Sequence, residues 1–361
     1  MQTDMHYYGT YAIARAAGIR DDIARAIATS AEYVDDSDRL DVVCKDGFEI
    51  HAEPTAHHPT NLKDNTDPQD QRRTWVPFHF IPGLQGNNVD EKLICVTDSA
   101  VARAVVTHTL ENLNQPFAVP LLGILAHSYA DTFSHYGFSG ISSKVNRVDT
   151  DTFKFDVSDP TKQALSQKLG NFFARYAIGP LANFLAQLGH GSVATYPDQP
   201  FLTWEFLYDS PPRSSGRREN PLTFLAGCRR LHEVFLEARN KFNGEHDDVR
   251  AYREFGDIES TVKEVLAVEG DDTTRAEAWQ QAMKAGRISR IAETIPVYDS
   301  TMFTNDLRAL DTYDRDFATR TLVYAFLEAA DFHRNFILND LLPKNGIHIE
   351  SAPIEWHTQR T

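Results

Sequence analysis

The sequence predicts a mainly α-helical protein, in which many helices form a bundle around one buried polar centre, with a small β-hairpin and long loops. Apolar residues recur with helical period along most of the chain, whereas strand-like alternation is clearest over residues 41–52. A second observation is the polar stripe of His127, Asp131 and His135 beside an apolar run. Burying polar side chains without partners destabilises a fold, so the stripe predicts a site where a charged or hydrogen-bonding group contacts these three side chains.

Start and stop residues define the individual helices. Gly18 ends the first, Asn220 caps a later one, and the stripe lies on a helix that begins at Pro120 and ends at Gly137 or Gly140. Residues 57–73 lack periodicity and predict a loop, and the Pro-bounded aromatic stretch 75–83 excludes a long helix. The helices are predicted over residues 8–17, 21–33, 98–113, 120–137, 161–176, 180–188, 221–242, 274–285 and 316–341.

Length and composition favour a folded chain with a sizeable core, since 42% of the 361 residues are hydrophobic. We expect a metal-binding helical catalytic domain over residues 1–242. A C-terminal helical portion over 243–343 packs on it or belongs to the same domain, and residues 344–361 form a tail. The formal charge of −15 argues against a broad nucleic-acid surface.

The three cysteines, Cys44, Cys95 and Cys228, are odd in number and widely spaced, so they predict neither disulfides nor a thiolate metal site. The N-terminus lacks the pattern of a secretory signal, and no apolar run is long enough for a transmembrane segment. These features predict a cytoplasmic protein, or one exported without such a signal.

The stripe has the spacing of metal ligands on one helix face. Residues four apart on a helix are rotated by only about 40°, so His127, Asp131 and His135 would project together. The central carboxylate of Asp131 is then placed to bridge two ions. The alternative is that these residues only cap or hydrogen-bond within a helical bundle.

Further candidate ligands come from other segments of the chain. Carboxylates at the end of the second predicted helix lie where its dipole favours cations, which predicts a positive group nearby. Nitrogen and oxygen ligands without thiolates favour two or three zinc ions, with manganese or iron as alternatives. The full predicted ligand set is His6, Asp35, Asp36, His79, His127, Asp131, His135 and His190, with His57, His58 and Asp198 left open.

Several motifs resemble those of an uncharacterised bacterial family related to the zinc-dependent phospholipase C and single-strand nuclease superfamily. They are DMHYYGTYAIARAAG, AEYVDDS, WVPFHFIPG, HSYADTFSHYGFSG and GHGSVATYPDQPFLTW. The resemblance covers residues 4 to about 210 and implies an all-α fold with up to three zinc ions that activate water against a phosphodiester. It implies ligand roles for His6, Asp35 or Asp36, His127, Asp131 and His135.

The chain departs from the phospholipase pattern in the interval after Asp131, because His135 follows by only four residues and no proline intervenes. Secreted members of the superfamily also use a processed N-terminal residue as a ligand, and this chain begins at Met1. The expected activity is a metal-dependent phosphodiesterase acting on a lipid headgroup or a nucleotide. Asp35 or Asp36 would orient the attacking water.

Two other functions are compatible with the sequence. An HD-type phosphohydrolase needs an adjacent His-Asp pair, and the chain has one at His246 and Asp247 in a polar context. A non-enzymatic helical protein would hold its metal in a saturated structural site, whereas a catalytic centre keeps open positions that face a cleft.

Overall fold

A computed structural model of the protein describes residues 1–38, 41–57, 67–176, 187–210, 212–349 and 357–359, and it is mainly α-helical as predicted. No helix in these ranges is long and apolar enough to cross a membrane. The α-helices are α1 Thr10–Ala16, α2 Asp21–Asp36, α3 Pro68–Phe78, α4 Val89–Lys92, α5 Ala100–Glu111, α6 Ala118–Asp131, α7 Asp159–Tyr176, α8 Asn220–Lys241, α9 Phe255–Leu266, α10 Asp272–Lys284, α11 Thr301–Ala309, α12 Arg315–Ala318, α13 Leu322–Asn335 and α14 Leu342–Lys344.

Two small antiparallel sheets lie beside the helices. The predicted hairpin is confirmed as β1 and β2, in which Asp41 pairs with His51, and β7 adds to β2 from the C-terminal tail. The second sheet, built around β3 and β4, was not predicted. The strands are β1 Asp41–Val43, β2 Phe48–His51, β3 Val148–Phe155, β4 Thr203–Tyr208, β5 Arg213–Ser214, β6 Arg218–Glu219 and β7 His357–Gln359.

Helix α6 lies at the centre of the fold and contacts α2, α5, α8 and α13. Gly123 allows α2 to come close, because a Cβ atom there would lie 2.5 Å from the carbonyl oxygen of Ile27 and 2.6 Å from Cβ of Ser30. This close crossing brings the carbonyl oxygen of Ala31 to 2.7 Å from Nδ1 of His127, one turn after Gly123. A glycine in the apolar half of α6 therefore sets the position of a polar residue in its second half.

The largest apolar core combines both ends of the chain. Ile13 and Leu125 pack in the same cluster as Trp279 and Ile337, all of them almost fully buried. The portion over residues 243–343 therefore shares its core with the N-terminal helices. A domain boundary near residue 242 stays a prediction.

Two smaller cores flank the central one. The first joins α2, the β1–β2 hairpin, α11 and α13, with Tyr33 stacked on Phe303 at 4.5 Å between ring centroids. The second is aromatic and joins the larger sheet to the segment after α3, with Trp204 stacked on Phe206 at 4.9 Å. The dense aromatic residues near position 200 serve largely as this core.

The loop predicted over residues 57–73 was wrong from residue 68 onward, where α3 begins. The Asp67 side chain accepts hydrogen bonds from the N–H groups of Gln69 and Asp70, and Pro68 occupies the first turn. This capping compensates for the weak apolar periodicity of the segment. The stretch 75–83 contributes only its first four residues to α3, in agreement with the exclusion of a long helix there.

The single helix predicted over residues 316–341 was also wrong. The chain breaks after α12, and Thr321 starts α13 by accepting a hydrogen bond from the N–H of Tyr324 at 3.2 Å. A π-helix over Phe336–Leu341 then follows α13. Most of the helix predicted over 180–188 lies outside the described residues.

His333 on α13 is a buried histidine that provides a test by pH. Its ring stacks on Phe78, and Nε2 donates a hydrogen bond to the carbonyl oxygen of Pro77 at 3.0 Å. Burial lowers the pKa of His333 to about 4. An unfolded histidine titrates near pH 6.5, so the unfolded state takes up an additional proton between pH 6.5 and 4, and the free energy of unfolding falls as the pH falls.

Between pH 7 and pH 5 the free energy of unfolding of the wild type should fall by about 2 kcal/mol more than that of His333→Gln, because the variant lacks this histidine. Denaturant unfolding of both proteins at the two pH values measures this difference. An equal loss in the two proteins would show that His333 is not the residue that takes up the proton.

Candidate metal centre

The stripe predicted on one helix spans the end of α6. The helix ends at Asp131 rather than at Gly137 or Gly140, and His135 lies four residues beyond its last residue, in a turn. The turn keeps the helical spacing because the N–H of His135 donates to the carbonyl oxygen of Asp131 at 2.7 Å. Oδ2 of the buried Asp131 therefore lies 3.3 Å from Nε2 of His127 and 3.4 Å from Nδ1 of His135.

Three predicted ligands from other elements meet this carboxylate or its partners. His6 Nε2 lies 3.3 Å from Asp131 Oδ1, and His79 Nδ1 lies 3.5 Å from Asp131 Oδ2. Asp35, at the end of α2, places Oδ1 3.7 Å from His79 Nδ1. His6 lies inside a π-helix over Asp4–Gly9, a type that is frequent at functional sites.

Asp198, which the sequence left open, belongs to the cluster. Its Oδ1 lies 3.0 Å from His135 Nε2, and its Oδ2 lies 3.8 Å from His190 Nε2. Ser134 donates to the same Oδ1 at 3.1 Å. Asn220, at the start of α8, holds the turn on both sides of Asp198 through the carbonyl oxygens of residues 196 and 199.

The ligand atoms form three groups, in each of which they lie within 4.8 Å of one another. Every predicted ligand except Asp36 is present in at least one group. The groups are His6 with His127 and Asp131, Asp35 with His79 and His127, and His135 with His190 and Asp198.

Backbone carbonyl oxygens fix the orientation of four histidine rings. Each ring places one nitrogen near a carbonyl oxygen, which assigns the N–H to that nitrogen and leaves the other nitrogen as an acceptor that faces the cluster. Metal-ligating histidines are held in the same way. The pairs are His127 Nδ1 with Ala31 at 2.7 Å, His79 Nε2 with Thr55 at 2.9 Å, His135 Nδ1 with His79 at 2.9 Å and His190 Nδ1 with Ala194 at 2.6 Å.

Several buried polar atoms of the cluster have no hydrogen-bond partner among the described residues. Both ring nitrogens of His6 and Oδ2 of Asp131 are in this position. Buried polar atoms without a partner destabilise a fold by about 1 to 3 kcal/mol each. A divalent cation bound by these atoms would remove that cost, so the residues present fit a metal.

The electrostatics of the cluster favour neutral forms of His6 and His190, whereas at His79 burial is outweighed by Asp131 and Asp35, which raise its pKa. Burial and the adjacent His127 lower the pKa of His6 to about 3, and burial lowers the pKa of His190 to about 4. Burial opposes the charge of Asp131, but the neighbouring imidazoles and the Met1 amino group hold the pKa of its carboxyl well below its usual range. Neutral imidazole and ionised carboxylate are the forms that bind metals.

The amino group of Met1 was not predicted in the site. Its nitrogen lies 2.6 Å from Asp131 Oδ1 and 3.3 Å from Asp198 Oδ1. Burial disfavours its charge, but Asp131, Asp198 and Asp35 outweigh that effect and raise its pKa to about 11. The place where these carboxylates meet therefore stabilises a cation, which is the positive group that the carboxylates at the end of α2 led us to expect.

Asp36 was predicted as a ligand and does not face the cluster. Its Oδ2 accepts a hydrogen bond from the hydroxyl group of Tyr298 at 2.6 Å. Successive side chains on a helix are rotated by about 100°, so Asp36 points away when its neighbour Asp35 points in. The prediction that both carboxylates serve the site was wrong for Asp36.

The other histidines that the sequence left open are not found in the three ligand groups of the described residues. His57 pairs with Asp70 and lies outside the three ligand groups, and His58 lies outside the described residues. The HD-type pair is not part of any group either, since His246 packs on Phe242 and Asp247 faces Arg239 at 4.0 Å.

A cleft with a volume of about 320 Å³ opens onto the cluster. Asp35, Asp131, His135 and Asp198 line its polar side, and the other walls include Trp75, Phe80 and Leu188. Asp35 keeps 38% of its side chain exposed, whereas Asp131 is fully buried. Among the described residues that line this cleft there is no lysine or arginine.

A buried arginine from the C-terminal portion supports the site from behind. Arg275 on α10 donates to Asp4 Oδ2 at 2.8 Å, to Gln199 Oε1 at 2.9 Å and to Gln2 Oε1 at 2.7 Å. Gln199 follows Asp198 directly, so one side chain links the N-terminal segment to the turn that carries Asp198. The sequence offered no signal for this contact, because 271 residues separate Arg275 from Asp4.

Comparison with known proteins places the chain in a family. The chain matches no curated protein and no solved structure. The sequence profile of a family of unknown function, DUF6765, matches residues 1–341. Because this match spans nearly the whole chain, the protein belongs to the DUF6765 family.

Proposed function

We propose that the protein is a metal-dependent hydrolase that cleaves phosphoric diesters. The observation that carries the proposal is the convergence of five histidines and three aspartates on one buried cluster beside a cleft. Their contacts to backbone carbonyl oxygens fix the rings of four of the histidines in the orientation that ligands need. The carboxylate of Asp131 lies near ring nitrogens of four histidines and is therefore the candidate bridge between two ions.

Divalent ions held by His and Asp ligands activate water and stabilise negative charge on a substrate, and this is the chemistry that zinc would supply here. His6, His127 and Asp131 would hold one ion, with His79 as a further ligand beside Asp131, and His135, His190 and Asp198 would hold another. Asp35, the exposed member of the third group, is left free. Nitrogen and oxygen ligands without thiolates favour zinc, with manganese or iron as alternatives.

The chain's own residues supply the other parts of the reaction. Asp35 is the partly exposed carboxylate of the cleft and is suited to orient water and accept a proton from it. Trp75 and Phe80 offer an apolar wall for the group attached to the phosphate. The described part of the lining carries aspartates and no lysine or arginine, which suits a substrate with one phosphodiester rather than a long polyanion.

The cleft helps to distinguish a catalytic metal site from the structural metal site of a non-enzymatic protein. A structural metal site is closed and saturated by the protein, whereas a catalytic site faces a cavity that admits substrate. Six residues of the cluster line the cleft, which favours catalysis.

The test is an activity panel on purified protein before and after metal removal by a chelator and readdition of zinc. Bis(4-nitrophenyl) phosphate, phosphatidylcholine vesicles, a dinucleotide and single-stranded DNA are suitable substrates. We expect hydrolysis of at least one diester, loss with the chelator and recovery with zinc. Hydrolysis that persists without metal would contradict the proposal, and bound metal without hydrolysis of any substrate would favour a structural role.

A further inference from the structure

A second polar pair borders the cleft outside the metal centre. His57 lines the cleft with 6% of the residue exposed, and its Nε2 contacts Oδ2 of Asp70, in the first turn of α3. Thr74, one turn further along α3, places its hydroxyl oxygen 3.5 Å from the same ring nitrogen. The Asp67 cap fixes the start of α3, so Asp70 belongs to an ordered turn.

The orientation of His57 leaves Nδ1 for another partner. Nδ1 has no hydrogen-bond partner within the described ranges of the chain and is not among their buried unsatisfied atoms. The pair is close to the ligand shell, because Thr55, two residues before His57, accepts the hydrogen bond from His79. Trp75 packs between the two rings, with centroids 6.5 Å from His57 and 5.0 Å from His79.

A histidine whose far nitrogen is held by a carboxylate is the arrangement that enzymes use to transfer protons. The carboxylate of Asp70 orients the ring of His57 through Nε2. The residues of the cluster would hold the ions or, in the case of Asp35, accept a proton from water. None of them is left to donate a proton to the departing oxygen atom. Among the described histidines that line the cleft, His57 remains after the ligands are assigned.

We propose that His57 is the general acid of this site and that Asp70 is its positioning residue. This inference rests on the proposed phosphodiesterase function. The water oxygen forms a bond to phosphorus, and the bond from phosphorus to the leaving oxygen breaks, with both electrons going to that oxygen. Nδ1–H of His57 gives its proton to the leaving oxygen, Asp35 accepts a proton from the attacking water, and both groups return to their initial protonation states through solvent.

The test compares two diesters of similar size, bis(4-nitrophenyl) phosphate and diphenyl phosphate. Nitrophenolate leaves without help, whereas phenolate is more basic and needs a proton. We expect His57→Gln to lower kcat/KM for diphenyl phosphate by about 100-fold or more, and for the nitrophenyl diester by less than about 10-fold. Asp70→Asn should show the same selectivity with a smaller loss, and His51→Gln, an exchange of the same type outside the cleft lining, should change neither rate.

Metal content distinguishes this role from a structural one, since both variants should bind wild-type amounts of zinc. Equal losses on the two diesters, or no loss, would overturn the role of His57 and leave the phosphodiesterase proposal standing. A wild type that hydrolyses neither diester nor any substrate of the wider panel would refute the function itself, and the general acid with it.

Discussion

Replacing Asp131 with asparagine is expected to lower zinc affinity and phosphodiester hydrolysis by at least about 100-fold. The carboxylate is fully buried and lies within 3.5 Å of ring nitrogens from His6, His79, His127 and His135. An amide has the same shape but carries no charge, and its N–H₂ group repels a cation. Isothermal titration with zinc measures the affinity, and hydrolysis of the best substrate measures the activity.

Asp36→Asn is the matched control, because it makes the same exchange at the carboxylate that faces Tyr298 and not the cluster. This variant should bind zinc as the wild type does. If Asp131→Asn kept wild-type zinc affinity, Asp131 would not be the bridge between metals. If both variants lost zinc equally, the effect would be one of general charge and not of ligation.

Replacing Arg275 with methionine should lower the free energy of unfolding by about 3 to 5 kcal/mol. Methionine retains most of the apolar length of the side chain, but it leaves the buried carboxylate of Asp4 without its cation. In the same step the amide oxygen of Gln199 loses its arginine donor, and that of Gln2 keeps only the donor from Gln199. Denaturant unfolding measures this loss, and Arg229→Met, which breaks the partly exposed pair with Glu259, should cost no more than about 1 kcal/mol.

The same variant should also weaken zinc binding, because Arg275 ties down the turn that carries Asp198. We expect a loss of about 10-fold, within the range for residues that support metal ligands. Wild-type stability in Arg275→Met would contradict the role of this buried pair. Lost stability with unchanged zinc affinity would show that the Asp198 turn is held by Asn220 and Ser134 alone.

Local patterns in the sequence were sufficient for much of the fold. Apolar periodicity located α2 and α8, and the alternation around Gly47 located the β1–β2 hairpin. The start of α3 was missed because its evidence is a cap at Asp67 and not a stripe of apolar residues. The sheet around β3 and β4 was missed because its pairing joins segments about 50 to 60 residues apart.

The candidate site shows the same division. The spacing of His127, Asp131 and His135 was a local signal, although the helix that should carry all three ends at Asp131. Asp35 and Asp36 are adjacent, and only the packing of α2 on α6 decides which of them faces the cluster. Asp198 and Met1 depend on contacts between distant segments, which spacing along the chain cannot reveal. The His57–Asp70 pair, 13 residues apart, has no regular spacing that would signal it.

Anomalous X-ray diffraction from crystals of zinc-loaded protein tests the central claim most directly. We predict anomalous peaks within the cluster, bordered by His6, His127 and Asp131 on one side and by His135, His190 and Asp198 on the other. The absence of anomalous density in the cluster at saturating zinc, or density only at sites elsewhere on the protein, would contradict the existence of the metal centre.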